Sequence, residues 1–266
     1  MPSDTAATWN RLMEGGRGGV MPAIDAVAYG PDIGTEEDFR LLGGNLAGKR
    51  VLELGCGGGQ NLVAMAKQGA HAIGVDFAGD QLAAAKRLAE REKVRIELHK
   101  GDLAELVFLR AESIDVVFSA YALGLVADLN RVFRQAHRVL KPNAHLVFSM
   151  PHPASHLIDD DDPTQPLLIR RSYFDRTSVN YDWEGLPLSA HHHTFSDLFT
   201  GLSRANFRVD TVLEPEPLAD GHRDRGRPSR CRAVRGRGRR PHGRLVRLAQ
   251  SIEGELAGCA PVEAAA

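Results

Sequence analysis

Cysteine is scarce in this chain, and that scarcity narrows the field first. Only Cys56, Cys231 and Cys259 occur among 266 residues. They are odd in number and scattered, so no disulfide framework is implied and a reducing cytoplasm is the simplest setting. No apolar run reaches the ~18 residues of a membrane span. Met1 to Asn10 lacks the basic-then-apolar pattern of a secretory leader. No internal repeat is visible. At 43% hydrophobic, the chain suits one α/β domain with a sizeable core and some extra material.

Net charge is also nearly absent, at −1, but only because two regions cancel. Of 33 basic and 34 acidic residues, eleven Arg and four acids lie from His222 onward, leaving a body of about −8 and a tail of +7. An acidic body disfavours nucleic acid as a partner; the tail alone would favour it.

What the chain does have is the stretch Val51-Leu52-Glu53-Leu54-Gly55-Cys56-Gly57-Gly58-Gly59-Gln60. An apolar run ends in a glycine-rich turn, and a helical pattern follows from Asn61. Strand, tight turn and helix open a doubly wound α/β fold, in which a ligand sits over the strand's carboxyl end at the helix N-terminus. A nicotinamide-dinucleotide site wants G-x-G-x-x-G. Gly55 and Gly57 fit its first two positions, but the third falls on Gln60. The spacing G-x-G-x-G, with Glu53 two residues ahead, resembles motif I of the class I S-adenosylmethionine-dependent methyltransferases, usually (V/I)L(D/E)LGCGxG. A plain glycine-rich turn and the pyrophosphate turn of an oxidoreductase stand as alternatives.

The chain then alternates. Thr35-Glu36-Glu37-Asp38 reads as a capping box, with Phe39, Leu41, Leu42 and Leu46 on the apolar side of a helix. Arg50 to Leu54, Ala72 to Asp76, Arg95 to His99 and Ser113 to Ser119 read as strands. The helix Gln81 to Glu92 turns Leu82, Ala85 and Leu88 inward. Asp128 to Lys141 is the clearest helix, stopped by Pro142, and RVLKPNAHLVFSMPHP resembles the family's phrase running into a fifth strand. Asn143 replaces a glycine there, and asparagine also tolerates φ > 0. Alternation from about 35 to 150 implies a doubly wound, mostly parallel sheet.

Asp76 lies 21 positions after Gly55, where a ribose-binding carboxylate is expected, although a helix N-cap would also explain it. Phe77 is counted with it. The resemblance implies that Gly55, Gly57 and Gly59 hold the methionine end of S-adenosyl-L-methionine, with Glu53 near its ammonium. It places Asp102 and Leu103 at the adenine, and Ser119 and Tyr121 beside the transferred methyl.

Residues 151–193 break the alternation with prolines, the run Asp159 to Asp162 and the aromatics Tyr173, Phe174, Tyr181 and Trp183. Such an insert is expected to cover a substrate. Neither the aspartates nor His191-His192-His193 reads as a metal site: like charges are usually solvated, and consecutive side chains diverge. His152 and His193 are the candidate bases, with a core or pocket-shaping role as the alternative. Thr194-Phe195-Ser196-Asp197 is a second capping box. HHHTFSDLFTGLSRANFRVDTVLEPEP resembles a C-terminal phrase of the small-molecule methyltransferases, followed by a sixth strand, Phe207 to Leu213.

In that family an antiparallel seventh strand slots between the fifth and sixth. Here GHRDRGRPSRCRAVRGRGRRPHGRLVRLAQ follows, Arg- and Gly-rich, where only Leu245-Val246 approaches an apolar strand. A nucleic-acid-binding arm, a charged tail without specific role and a shifted reading frame are three readings, and composition favours the last two. The expectation is a domain over 1–219, an irregular, disordered tail over 220–266 and no seventh strand. The function expected is methyl transfer to a small-molecule acceptor, with no membrane partner. An RNA-directed methyltransferase would rest on the tail alone, for the body lacks N-P-P-Y and reads SAYA after the fourth strand. An NAD-dependent oxidoreductase and a cofactor-binding protein without catalysis are the other rivals. The residues do not name the acceptor.

Overall fold

The computed structural model describes residues 24–30, 33–159, 168–183, 186–215 and 243–250. A one-turn helix α1 (Glu36–Phe39) precedes β1 (Arg50–Leu54), α2 (Gln60–Lys67), β2 (His71–Asp76), α3 (Gly79–Glu92), β3 (Ile96–Lys100) and β4 (Ile114–Ala120). Then come α4 (Leu129–Val139) and β5 (Leu140–Pro151). Two antiparallel pairs follow, β6 (Ile158–Asp159) with β7 (Leu168–Ile169), and β8 (Val179–Trp183) with β9 (Leu186–Ala190). The described chain closes with α5 (Phe195–Arg204), β10 (Phe207–Leu213) and β11 (Gly243–Gln250).

Strands covered on both faces read as continuous apolar runs, and Val51 to Leu54 of β1 are all buried. One face packs Leu52, Leu54, Ile73 and Val75 against Val132 and Phe133 of α4 and Leu198 and Leu202 of α5. The other packs Val51, Ala72, Val116 and Val147 against Leu62 and Met65 of α2 and against Val27 and Tyr29. Asp128 starts α4 by accepting the Arg131 amide at 3.0 Å. Asn143 takes φ 61° within β5, where the register against β4 shifts between Leu140 and His145.

The main sheet runs β10-β11-β5-β4-β1-β2-β3. β1 to β5 are parallel, and β11 is antiparallel to both its neighbours. The chain winds outward through β2 and β3, then restarts on the other side of β1 with β4. That reversal opens a crevice above the carboxyl ends of β1 and β4, where ligands of such sheets bind.

The expectation of no strand beyond residue 219 is corrected. Gly243–Gln250 lies between β5 and β10, with Leu245 opposite Ser149 and Leu213. The reason is that β5 and β10 each present a row of backbone donors and acceptors, and a ladder satisfies them whatever side chains the strand carries. The rest of the tail lies outside the described residues.

A second difference concerns α1. Both halves of the Thr35–Asp38 capping box form, yet the helix ends after one turn at Arg40, φ 52°. The Glu36 carboxylate folds back to accept the amides of Leu41 and Leu42, both at 2.9 Å, and so replaces the helical partners. Leu41, Leu42 and Leu46 are buried without a helix.

Candidate functional site

The turn after β1 is built from backbone. Gly55 and Cys56 both donate to the Val75 carbonyl, at 2.8 and 3.2 Å, so the chain reverses against the end of β2. Gly55 sits at φ +73°, and a Cβ there would lie 2.2 Å from the Ala122 Cβ. Gly59, at φ +79°, faces Ala85 of α3, which an added Cβ would approach to 2.6 Å. Gly59 therefore lets the turn pack on α3.

A cleft with about 580 Å³ of empty space lies over these strand ends. Gly55, Gly57, Asp76, Phe77, Leu103 and Tyr121 line it, six of the residues singled out from the sequence. Glu53, Gly59, Asp102 and Ser119 are off its wall. Ser119 is fully buried and spends its hydroxyl on the Leu54 carbonyl at 2.8 Å. Asp102 Oδ1 accepts the Ala104 amide at 2.8 Å, which holds the Leu103 turn in shape.

Ala120 and Ala122, on either side of Tyr121, line it too, and Gln81 and Leu125 complete the wall and were missed. The buried stripe of α3 is Gln81, Ala85 and Ala89; Ala85 lies inward as the residues predicted and Leu82 packs half-buried against the core, while Ala89 takes the place expected for Leu88. A polar residue at the head of an i, i+4, i+8 row of small residues was the available signal.

Two carboxylates sit at this turn. Asp76 is buried; Oδ2 accepts the Gly57 amide and Oδ1 the Ala78 amide, both at 2.9 Å. Burial raises its pKa, and those amides oppose the rise. Glu53 is 3% exposed. Its Oε1 accepts from Asn61 Nδ2 at 3.3 Å, while its buried Oε2 has no hydrogen-bond partner among the described residues. Burial pushes the Glu53 carboxyl up to about 8; the Asn61 side chain and, more weakly, the Leu62 backbone amide oppose this, and the charge of Asp76 adds to it.

The histidines lie beyond β5. His152 Nδ1 accepts the Ala154 amide at 3.1 Å, so Nε2 carries the hydrogen and donates to Glu214 Oε1 at 2.9 Å. His193 is buried and donates from Nε2 to the Val126 carbonyl at 2.8 Å, leaving Nδ1 as the basic nitrogen. Burial lowers its pKa. Val126 follows Leu125, so this histidine stands one residue behind the cleft wall.

His192 donates from Nε2 to the Tyr173 carbonyl at 2.8 Å, and its Nδ1 faces His156 Nδ1 at 3.3 Å. In this tautomer His156 donates to His192. Each of the three consecutive histidines has a separate partner. Among the described residues, no group of three His, Cys, Asp or Glu could hold a metal, and no helix is long and apolar enough to cross a membrane. Asp160 to Asp162 lie outside the described residues.

Comparison with known proteins agrees with this fold. Residues 52–148 match the model of a methyltransferase domain. The fold resembles the crystal structure of an S-adenosylmethionine-dependent methyltransferase from Mesorhizobium loti, with a TM-score of 0.62 and 27% identity, covering 80% of this chain and 96% of that one. A ubiquinone biosynthesis O-methyltransferase from Hahella chejuensis is 39% identical over 104 residues, 39% of this chain and 44% of the relative. The chain thus matches less than half the length of that relative. An uncharacterized protein of Haemophilus influenzae is 27% identical over 187 residues, 66% of this chain and 73% of that protein. Residues 52–148 thus form a methyltransferase domain similar to those of the class I S-adenosylmethionine-dependent enzymes, whose cofactor is S-adenosyl-L-methionine.

Proposed function

We propose that this domain transfers the methyl group of S-adenosyl-L-methionine to a small-molecule acceptor. The observation that carries the reading is the pair of buried carboxylates at the glycine turn, with no hydrogen-bond partner for Glu53 Oε2 among the described residues. An unsatisfied buried carboxylate oxygen suits an ammonium. The residues present fit the cofactor. Glu53 would meet its amino group, Gly55 and Gly57 would admit its methionine end, and Asp76 would accept the ribose diol. Leu103 and Phe77 would flank the adenine, with Asp102 holding the Leu103 turn. When bound, the cofactor supplies a methyl group already activated on a sulfonium. The protein's part is then orientation and the protonation state of the acceptor.

His193 is the better placed base. Its Nε2–H is held by Val126, its Nδ1 keeps a lone pair, and burial keeps the ring neutral near pH 7. His152 has both ring nitrogens engaged, so its role in this reading is to shape the pocket with Phe195, 5.1 Å away edge to face. Ser119 and Tyr121 serve as scaffold and wall, and the insert over 151–193 as acceptor cover. The setting is cytoplasmic. Against an RNA substrate, part of the basic tail is spent as β11 within the sheet.

Thermal melting and titration calorimetry test the cofactor. S-adenosylmethionine and its demethylated product should both raise the melting temperature by mass action, and NAD should not. Binding of NAD without binding of S-adenosylmethionine would end this reading.

A further inference from the structure

Asn61, in the first turn of α2, is buried and lies against the N-terminal segment 24–30. Its Oδ1 accepts the Ala28 amide at 2.8 Å, and its Nδ2 donates to the Ala28 carbonyl at 3.1 Å. One side chain thus pairs with both backbone groups of one residue, as a neighbouring strand would. The second hydrogen on Nδ2 goes to Glu53 Oε1 at 3.3 Å. A primary amide has two donors, and both are spent. The Ala28 contacts also fix which way round the amide sits. Reversed, it would set oxygen against the Ala28 carbonyl and against Glu53.

The segment that Asn61 holds reaches the cleft. Tyr29 is fully buried against Phe39 and Phe118, and its carbonyl accepts the Ser149 hydroxyl of β5. Gly30 lies against the Tyr121 ring so closely that a Cβ on it would fall 2.2 Å from Cε2. Tyr121 is part of the cleft wall. Asn61 therefore touches, on one side, the strap that braces this wall and, on the other, the carboxylate beneath the turn.

We propose that Asn61 is a positioning residue that couples docking of residues 24–30 to binding of the cofactor's ammonium at Glu53. The inference rests on the cofactor reading above. A docked strap orients the amide so that Glu53 Oε1 is held and Oε2 is left for the cation. A cation on Oε2 favours the ionised carboxylate, which strengthens its bond to Asn61 and so the grip on Ala28. Such coupling is reciprocal and typically amounts to about 5–150-fold in affinity. The other ionisable groups facing Glu53 are Asp76 at the end of β2 and the Cys56 thiol in the turn. The Asp76 charge opposes ionisation of Glu53, so the Asn61 bond matters more.

The demethylated product, S-adenosylhomocysteine, keeps the ammonium and cannot react, which makes it the probe. Its addition should slow hydrogen exchange of the Ala28 amide at least tenfold in the unmodified protein. Asn61→Ala should lose that response and bind the probe about tenfold more weakly. The pH at which affinity rises should also move upward, because the donor that helps ionise Glu53 is gone; a merely structural asparagine would not shift that profile. Asn61→Asp keeps an acceptor for the Ala28 amide but repels Glu53, and should bind at least as weakly as Asn61→Ala.

Ser149→Ala frees the strap from β5 without touching Asn61 or Glu53. It should lower affinity a few-fold at an unchanged pH profile, and it decides the matter if Asn61→Ala does not fold. Probe binding with no change at Ala28, or unaltered affinity with the strap loosened, overturns the coupling alone. Failure of the unmodified protein to bind the probe overturns the cofactor reading as well.

Discussion

The cleft over β1 and the histidine-bearing cover beyond β5 are built on opposite plans. The cleft is made by backbone: positive-φ glycines, amides donated to Asp76, and a strand end that turns sharply. Its buried titratable groups are acids. The cover is made by side chains that reach across long separations, His156 to His192 and the Tyr173 hydroxyl to the Phe195 backbone amide. Its buried titratable groups are bases. Burial disfavours the charged form of Glu53 in the first region and of His156 and His193 in the second. The difference teaches where chemistry can be read locally. A turn's backbone depends on a few adjacent residues, whereas a paired imidazole depends on a partner that only the fold supplies.

The largest effect expected separates the two regions by function. His193→Gln should lower turnover about 10²–10⁴-fold while cofactor affinity stays intact, the usual loss when a general base is removed. His152→Ala should cost less than about tenfold, because both its ring nitrogens are already engaged. Rate measurements under saturating cofactor distinguish them. Equal losses at both positions would erase the assignment.

Next in size, the two regions should respond to pH with opposite sign. Glu53 keeps its proton in the fold up to about 8, but in the unfolded chain loses it near 4.5. The folded state binds more protons across that window, so stability should fall as pH rises through it, by roughly 3–5 kcal/mol in all. His156 titrates at about 4 in the fold against 6.5 unfolded, with burial the main cause and the neighbouring His192 the next. The unfolded chain binds more protons there, so stability should fall as pH drops from 6.5 towards 4, by roughly 2–3 kcal/mol. Glu53→Gln should flatten the alkaline side of the melting profile and His156→Phe the acid side. If each substitution changes the wrong limb, or neither changes, the contrast fails.

The smallest effect tests the cleft alone. Asp76→Ala should weaken cofactor binding by roughly 1–3 kcal/mol, the scale of hydrogen bonds to a charged group. The Gly57 and Ala78 amides lose their acceptor as well, so the glycine turn should show faster hydrogen exchange. An unchanged dissociation constant by calorimetry would remove Asp76 from the site.

Much of the fold was legible because it is written in short-range pattern. The apolar run ending at Leu54, the turn glycines and the capping box at Thr194 stand where the residues predicted them, and the helix expected over Asp128 to Lys141 forms but ends at Val139, where β5 begins. The short α1 and the Gln81 face of α3 were not legible in the same way. In the first, Glu36 bends back to cap the chain; in the second, the burying surface takes Ala89 in place of Leu88. β11 was hidden for a different reason. Its place is set by open backbone edges on β5 and β10, which leave no mark on its own side chains.

The sequence by itself determined the alternation of strand and helix, the glycine turn and the positions of Glu53 and Asp76 around it. Each depends on residues within a turn or a strand of one another, and hydrophobic period and permitted φ act at that range. Only the tertiary structure decided that Asn61 meets Ala28 across 33 positions and His156 meets His192 across 36, and which Glu53 oxygen has no hydrogen-bond partner among the described residues. Those outcomes follow from how the layers pack, which brings distant groups together and withdraws the water that would otherwise screen them.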